Sequence, residues 1–153
     1  MDLIKHNPEK GRAVFFDKDS YVKTWNNKSI EWIKEHVSIL NNIFPNFVID
    51  YGTDYIRYNI IKGTPASKFE HTDEFIRKIY KFCLSNIKQT KPYVHGDWVL
   101  SNIIIDNHKM TMIDWDNIGI YPEQEYMDKL HRDLESAFGK ERFRGVINDT
   151  TSI

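Results

Sequence analysis

Between residues 29 and 44 the apolar side chains recur at Ile30, Ile33, Val37, Leu40 and Phe44, a helical spacing with one buried stripe. Pro45, which cannot continue a helix, stops it. Upstream, 13–16 and 21–25 are short β-rich runs joined by the turn-like Asp17-Lys18-Asp19-Ser20, the pattern of a hairpin. Two further strands are predicted at 47–51 and 55–61, bent around Gly52-Thr53-Asp54. Gly63-Thr64-Pro65 marks a break, after which the pattern turns helical. Thr72 suits an N-cap, with Asp73 and Glu74 in the first turn and Ile76, Ile79, Tyr80, Cys83 and Ile87 on one face. A third helix is expected to start near Pro122, to turn Met127, Leu130, Leu134 and Phe138 inward, and to end at Gly139. Strands and helices are segregated along the chain, which predicts an α+β fold.

Composition narrows the function classes. The 153 residues suit one domain with a real core, and 41% apolar with 28% charged residues is ordinary for a globular protein. A formal net charge of −1 gives no electrostatic reason to bind a nucleic acid or an acidic membrane. No apolar stretch is long enough to span a bilayer, and residues 1–12 are too polar for a signal peptide. Cys83 is the lone cysteine, which excludes an internal disulfide and a cysteine metal site and points to a reducing cytoplasm. Residues 148–153 read as a disordered tail.

The chemistry is concentrated between His95 and Asp116. β-type runs at 103–106 and 110–113 flank the polar Asn107-His108-Lys109. Paired as an antiparallel hairpin, Asp106 faces Met110, Ile103 faces Ile113, and Asn102 comes to lie opposite Asp114. Their Cα atoms would then be roughly 4.5–5.5 Å apart. An amide oxygen beside a carboxylate is a hard-oxygen site suited to Mg²⁺. Asp97, on the preceding loop, could orient a hydroxyl beside that metal, which is most of what phosphoryl transfer needs. Taken singly, His95-Gly96-Asp97 reads as a turn and Asp114-Trp115-Asp116 as a solvated loop. Their combination with Asn102 and a hairpin between them is far more specific.

The run His95-Gly96-Asp97, four residues, Asn102, a hairpin and then Ile113-Asp114-Trp115-Asp116 resembles the aminoglycoside phosphotransferase and choline kinase family, relatives of protein kinases. The resemblance implies a much reduced, two-lobed protein-kinase-like fold in a single domain. Its small antiparallel sheet and one helix would form the N-terminal lobe at 1–61, with a hinge at 62–64 and a mainly helical C-terminal lobe at 65–147. By it Asp97 is the catalytic aspartate, Asn102 and Asp114 hold Mg²⁺, and Asp116 is the second carboxylate of the Asp-x-Asp run. His95 braces the loop. Lys23, flanked on its strand face by Tyr21 and Trp25, matches the lysine that contacts the phosphates of ATP. Glu35, or failing it Glu31, is its partner. Ile60 and Ile61 fall in the segment whose backbone binds adenine. Only one glycine, Gly11, stands where the family carries a glycine-rich loop.

The activity so implied is transfer of the γ-phosphoryl group of ATP to a hydroxyl of a small molecule. A nucleotide-binding module without turnover is the alternative. A metal-dependent hydrolase built on His95, Asp97, Asp114 and Asp116, with His108 or His131, is a third. With one helix between hinge and catalytic loop and one after Asp116, Phe75, Phe82, Tyr126 and Phe138 exceed a single buried stripe. Either they complete the small internal core, or a homodimer covers them.

Overall fold

The first helix begins where a side chain can satisfy its free backbone donors. Ser29 Oγ accepts the Trp32 N–H at 3.1 Å, and α1 runs Ile30–Ile43 from that cap. The computed structural model describes residues 2–7 and 11–149, the first six by their backbone. Residues 150–153, most of the expected tail, lie outside the described residues, as do 8–10 beside Gly11. Among the described residues no helix is long and apolar enough to cross a membrane. The chain divides into two compact units, Met1–Ile60 and Ile61–Ile153.

The first unit is a five-stranded antiparallel sheet with α1 packed against it. Its strands are β1 (Asp2–Asn7), β2 (Arg12–Phe16), β3 (Ser20–Trp25), β4 (Val48–Tyr51) and β5 (Tyr55–Asn59), in the order β1-β2-β3-β5-β4. β2 and β3 form the expected hairpin, with Phe16 opposite Tyr21. β1 was not expected from its polar sequence. It adds to the sheet edge through backbone pairing with β2, which its composition does not advertise. Ile33, Val37 and Leu40 of α1 are buried, as the periodicity requires, and Trp25 of β3 meets Trp32 of α1 edge to face at 5.4 Å. β5 stops at Asn59, two residues short of the expected end.

The second unit joins a three-stranded sheet to three helices. β6 (Thr64–Pro65), β7 (Ile103–Asp106) and β8 (Lys109–Met112) are antiparallel neighbours in that order. Gly63, at φ +139°, lets β6 press onto β7, since a Cβ there would stand 2.6 Å from the Ile105 carbonyl oxygen. The helix α2 (Asp73–Thr90) starts at Thr72, whose hydroxyl accepts the Phe75 N–H, and buries Ile76, Ile79, Cys83 and Ile87. Burial also pushes the Cys83 thiol far above its ordinary range. α3 (Glu123–Phe138) buries Leu130, Leu134 and Phe138.

Two expectations need correction. The hairpin turn has two residues, not three: Asp106 pairs with Lys109, Ile105 with Met110 and Ile103 with Met112. Asn107, at φ +56°, supplies the left-handed residue that such a tight turn favours. The register therefore slips by one, and Asn102 stands across from Ile113, whose N–H donates to its carbonyl at 2.8 Å. The second correction is a further helix, α4 (Lys140–Ile147), which begins directly after Gly139 and was not anticipated. It buries Phe143, whose ring meets Tyr80 and His131 at 5.5 and 5.9 Å, and Val146. Phe138, for its part, packs edge-on against His71 and Phe75. The premise behind the homodimer, a single helix after Asp116, thus does not hold.

If α4 is part of the core, Phe143→Ala should cost about 3–5 kcal/mol by the large-to-small rule. Chemical denaturation checks it, and a loss below about 1 kcal/mol would mark α4 as an appendage.

Candidate active site

The loop carrying Asp97 is built around a buried imidazole. His95 has no exposed surface and bridges two elements of the second unit. Its Nδ1 accepts the Asp97 N–H at 3.1 Å, which leaves Nε2 as the N–H that donates to the Ile113 carbonyl at 2.7 Å. Burial lowers its pKa. The hydrogen bond to Ile113 and the carboxylates of Asp114, Asp97 and Asp116 pull the other way. The Trp115 ring closes over His95 edge-on at 4.7 Å and is itself pinned by its indole N–H to the Met112 carbonyl at 3.0 Å. Gly96, at φ +86°, allows the chain to fold back between His95 and Asp97.

Asn102 fixes the other side of the loop. Its side chain is buried, and Nδ2 donates to the Asp97 carbonyl oxygen at 3.1 Å and to Asp97 Oδ2 at 3.2 Å. With its nitrogen turned to Asp97, the amide oxygen is the atom that can face a cation. Asp114 follows the last hairpin pair in a left-handed conformation, φ 60°. A non-glycine residue held there is unusual, and such strain clusters where a side chain must be aimed. Oxygen donors from an amide and a carboxylate fit Mg²⁺ rather than a softer metal. Asp116 is half-buried in the turn that follows.

Of the other expected residues, Lys23, Glu31, Glu35 and Ile60 belong to the first unit, and Ile61, His108 and His131 to the second. Lys23 is buried, with Nζ 5.8 Å from the Tyr58 ring centroid, so it is not a lysine snorkelling to the surface. Glu31 and Glu35 are both exposed, while the buried polar residue of α1 is His36. Ile60 ends the first unit with its N–H toward the Asp19 carbonyl at 3.4 Å, and Ile61 opens the second. Of the histidines named for a hydrolase, His108 lies in the exposed hairpin turn and His131 bonds the Tyr80 hydroxyl at 3.1 Å. Among the described residues no three His, Cys, Asp or Glu side chains are grouped to hold a metal.

Two residues escaped the sequence reading. Lys129 and Asp133 of α3, one helical turn apart, brace the loop. Asp133 Oδ2 accepts the Trp98 N–H at 2.9 Å, and both its oxygens bind Lys129 Nζ at 2.6 Å. Lys129 Nζ in turn lies 4.0 Å from Asp97 Oδ1. The only sequence signal was the i,i+4 spacing of opposite charges, which occurs on many solvated helices.

An antiparallel sheet with one helix, then a helical unit whose hairpin closes onto a carboxylate loop, makes this a kinase-like α+β protein. The family model for the RIO domain (RIO1) matches residues 48–148, about two thirds of the chain, and the chain belongs to that family, a kinase-like, ATP-binding domain. The match contains His95, Asp97, Asn102, Asp114 and Asp116, while Lys23, Glu31 and Glu35 precede it. It corrects the resemblance to aminoglycoside phosphotransferases and choline kinases. A short run such as His-Gly-Asp, Asn and Asp-x-Asp is too small a part of the chain to separate one kinase-like family from another. Among solved structures 61 chains match. One, a 2.2 Å crystal structure of WbdD, has a TM-score of 0.56 and 16% identity, over 86% of this chain and 36% of that one. At that identity the fold is what is shared, and the chain spans about a third of that relative's length. A search of the curated proteins gave no significant match.

His95→Phe keeps the ring packing but removes both hydrogen bonds and orphans the Ile113 carbonyl. It should lower stability by about 1–3 kcal/mol, measured by denaturant unfolding, while an unchanged midpoint would deny His95 its bracing role.

Proposed function

We propose that this chain binds Mg·ATP and passes its γ-phosphoryl group to a hydroxyl, with Asp97 orienting that hydroxyl and taking its proton. The observation that carries the reading is how Asp97 is held. Its N–H is fixed by His95, its carbonyl and one carboxylate oxygen by Asn102, and its side chain is still 29% exposed. A carboxylate so constrained at every backbone group yet open at one face is what positioning a nucleophile requires. Asn102 and Asp114 would hold Mg²⁺, with Asp116 supporting them. When bound, the ion supplies charge neutralisation on the phosphate oxygens. Lys23 would bind the nucleotide phosphates, partnered by Glu35 or Glu31, and the backbone at Ile60 and Ile61 would meet adenine.

A second reading is favoured by the family match itself, which supports nucleotide binding and carries no information on an acceptor: a nucleotide-binding domain without turnover. The small-molecule alcohol expected from the sequence has no support in that match. The acceptor is therefore specified only as a hydroxyl, including a protein side chain or water.

Binding and chemistry separate by mutation. Asp114→Ala should abolish the Mg²⁺-dependent part of ATP binding in calorimetry. Asp97→Ala should leave Mg·ATP affinity within a few-fold of wild type and cut ATP consumption by roughly 10²-fold or more. Wild-type binding without measurable consumption would select the second reading, and unaltered behaviour of both variants would reject the site.

A further inference from the structure

We propose that Lys129 is a catalytic residue of this site, its ammonium group binding the phosphoryl group in transit beside Asp97. The proposal rests on the phosphotransferase reading above and adds a residue from outside the His95–Asp116 run.

The loop cannot supply this charge itself. From Tyr93 to His108 the chain contains no lysine or arginine, and the residues between Asp97 and Asn102 are Trp98, Val99, Leu100 and Ser101. Beyond the Mg²⁺ that Asn102 and Asp114 would hold, a phosphoryl group arriving next to an ionised Asp97 would meet no cationic side chain from the same segment. α3 provides one. Lys129 Nζ stands 4.0 Å from Asp97 Oδ1, and its side chain is 37% exposed. It lines a cavity of about 310 Å³ whose wall also includes Gly96 and Trp98, the two neighbours of Asp97 in sequence, with one further cation, Arg132, and one carboxylate, Glu125. Lys129 thus both approaches the Asp97 carboxylate and borders a cavity walled by the two sequence neighbours of Asp97.

How Lys129 is held argues against an ordinary surface ion pair. Asp133 binds it through both carboxylate oxygens at 2.6 Å and is only 13% exposed. The same carboxylate takes the N–H of Trp98 at 2.9 Å. Asp133 therefore fixes the cation and the residue after Asp97 with one group, so the distance from ammonium to catalytic carboxylate is set in advance. Fixed charges aimed at developing charge lower a barrier because they need no reorganisation during the step.

In that step the acceptor oxygen forms a bond to the γ-phosphorus. The bond from that phosphorus to the bridging oxygen breaks, and its electron pair stays on ADP. The hydroxyl proton passes to Asp97. Lys129 keeps its proton throughout and binds a non-bridging oxygen of the moving group.

The test reads binding. Fluoroaluminate added to MgADP mimics the phosphoryl group in transit, and the wild-type protein should bind that complex roughly 10²-fold or more tighter than MgADP alone. Lys129→Met, which removes charge from a partly exposed position, should keep its MgADP affinity and lose most of the gain. Lys129→Arg should retain most of it. In the wild-type protein, reductive methylation read by mass spectrometry should find Lys129 protected by MgADP with fluoroaluminate and reactive with MgADP alone. An equal gain in Lys129→Met, a parallel loss of MgADP affinity, or equal methylation in both states would each overturn the role of Lys129. Absence of MgADP binding by the wild type would overturn the nucleotide reading itself, and binding without any fluoroaluminate gain would overturn the proposal while leaving nucleotide binding in place.

Discussion

The second unit is organised by the buried imidazole of His95. With one nitrogen accepting the Asp97 N–H and the other donating to the Ile113 carbonyl, it joins the carboxylate loop to the strand exit that carries Asp114. Burial keeps the ring neutral, and neutrality is what allows it to accept on one side while donating on the other. A protonated ring would have two donors and no acceptor, and the Asp97 N–H would lose its partner. The same ring supports Trp115, so the packing of the turn after the hairpin depends on the same group. Asn102 and the Lys129–Asp133 pair act on a loop that His95 has already closed.

Local signals were legible wherever one segment decides the outcome. Thr72 caps α2, Pro45 follows α1, and the buried stripes of α1, α2 and α3 fall on the spaced apolar residues, since each depends on periodicity within its own helix. The hairpin at 103–112 was legible as a hairpin but not in register. Counting Lys109 into the turn shifts every pair by one, and only the left-handed conformation of Asn107 reveals that two residues suffice. The expectation for Asp114 does not depend on that register, because it rests on the chemistry of the residue and its order along the chain. α4 was missed for a different reason. Gly139 ends α3 and is also the N-cap of the next helix, and Gly145, a residue of poor helix propensity, lies within α4.

What the sequence could not show is the part of the site made by packing. Lys129 and Asp133 are more than thirty residues from Asp97 and reach it because Leu130 and Leu134 bury the adjoining face of α3. Nothing local distinguishes that pair from a solvated one. The family was misjudged because the resemblance rested on a few residues between His95 and Asp116, whereas the RIO match extends over residues 48–148.

The central claim is that Asn102 and Asp114 form a hard-oxygen metal site beside Asp97. Manganese in place of magnesium, added with a non-hydrolysable ATP analogue to isotope-labelled protein, tests it through paramagnetic broadening in nitrogen–proton spectra. The side-chain amide of Asn102 and the backbone amides of Asp97 and Asp114 should broaden first, with His108 and His131 broadening only at higher metal concentration. Broadening centred on His108 or His131, with the Asn102 amide still sharp, would contradict that claim.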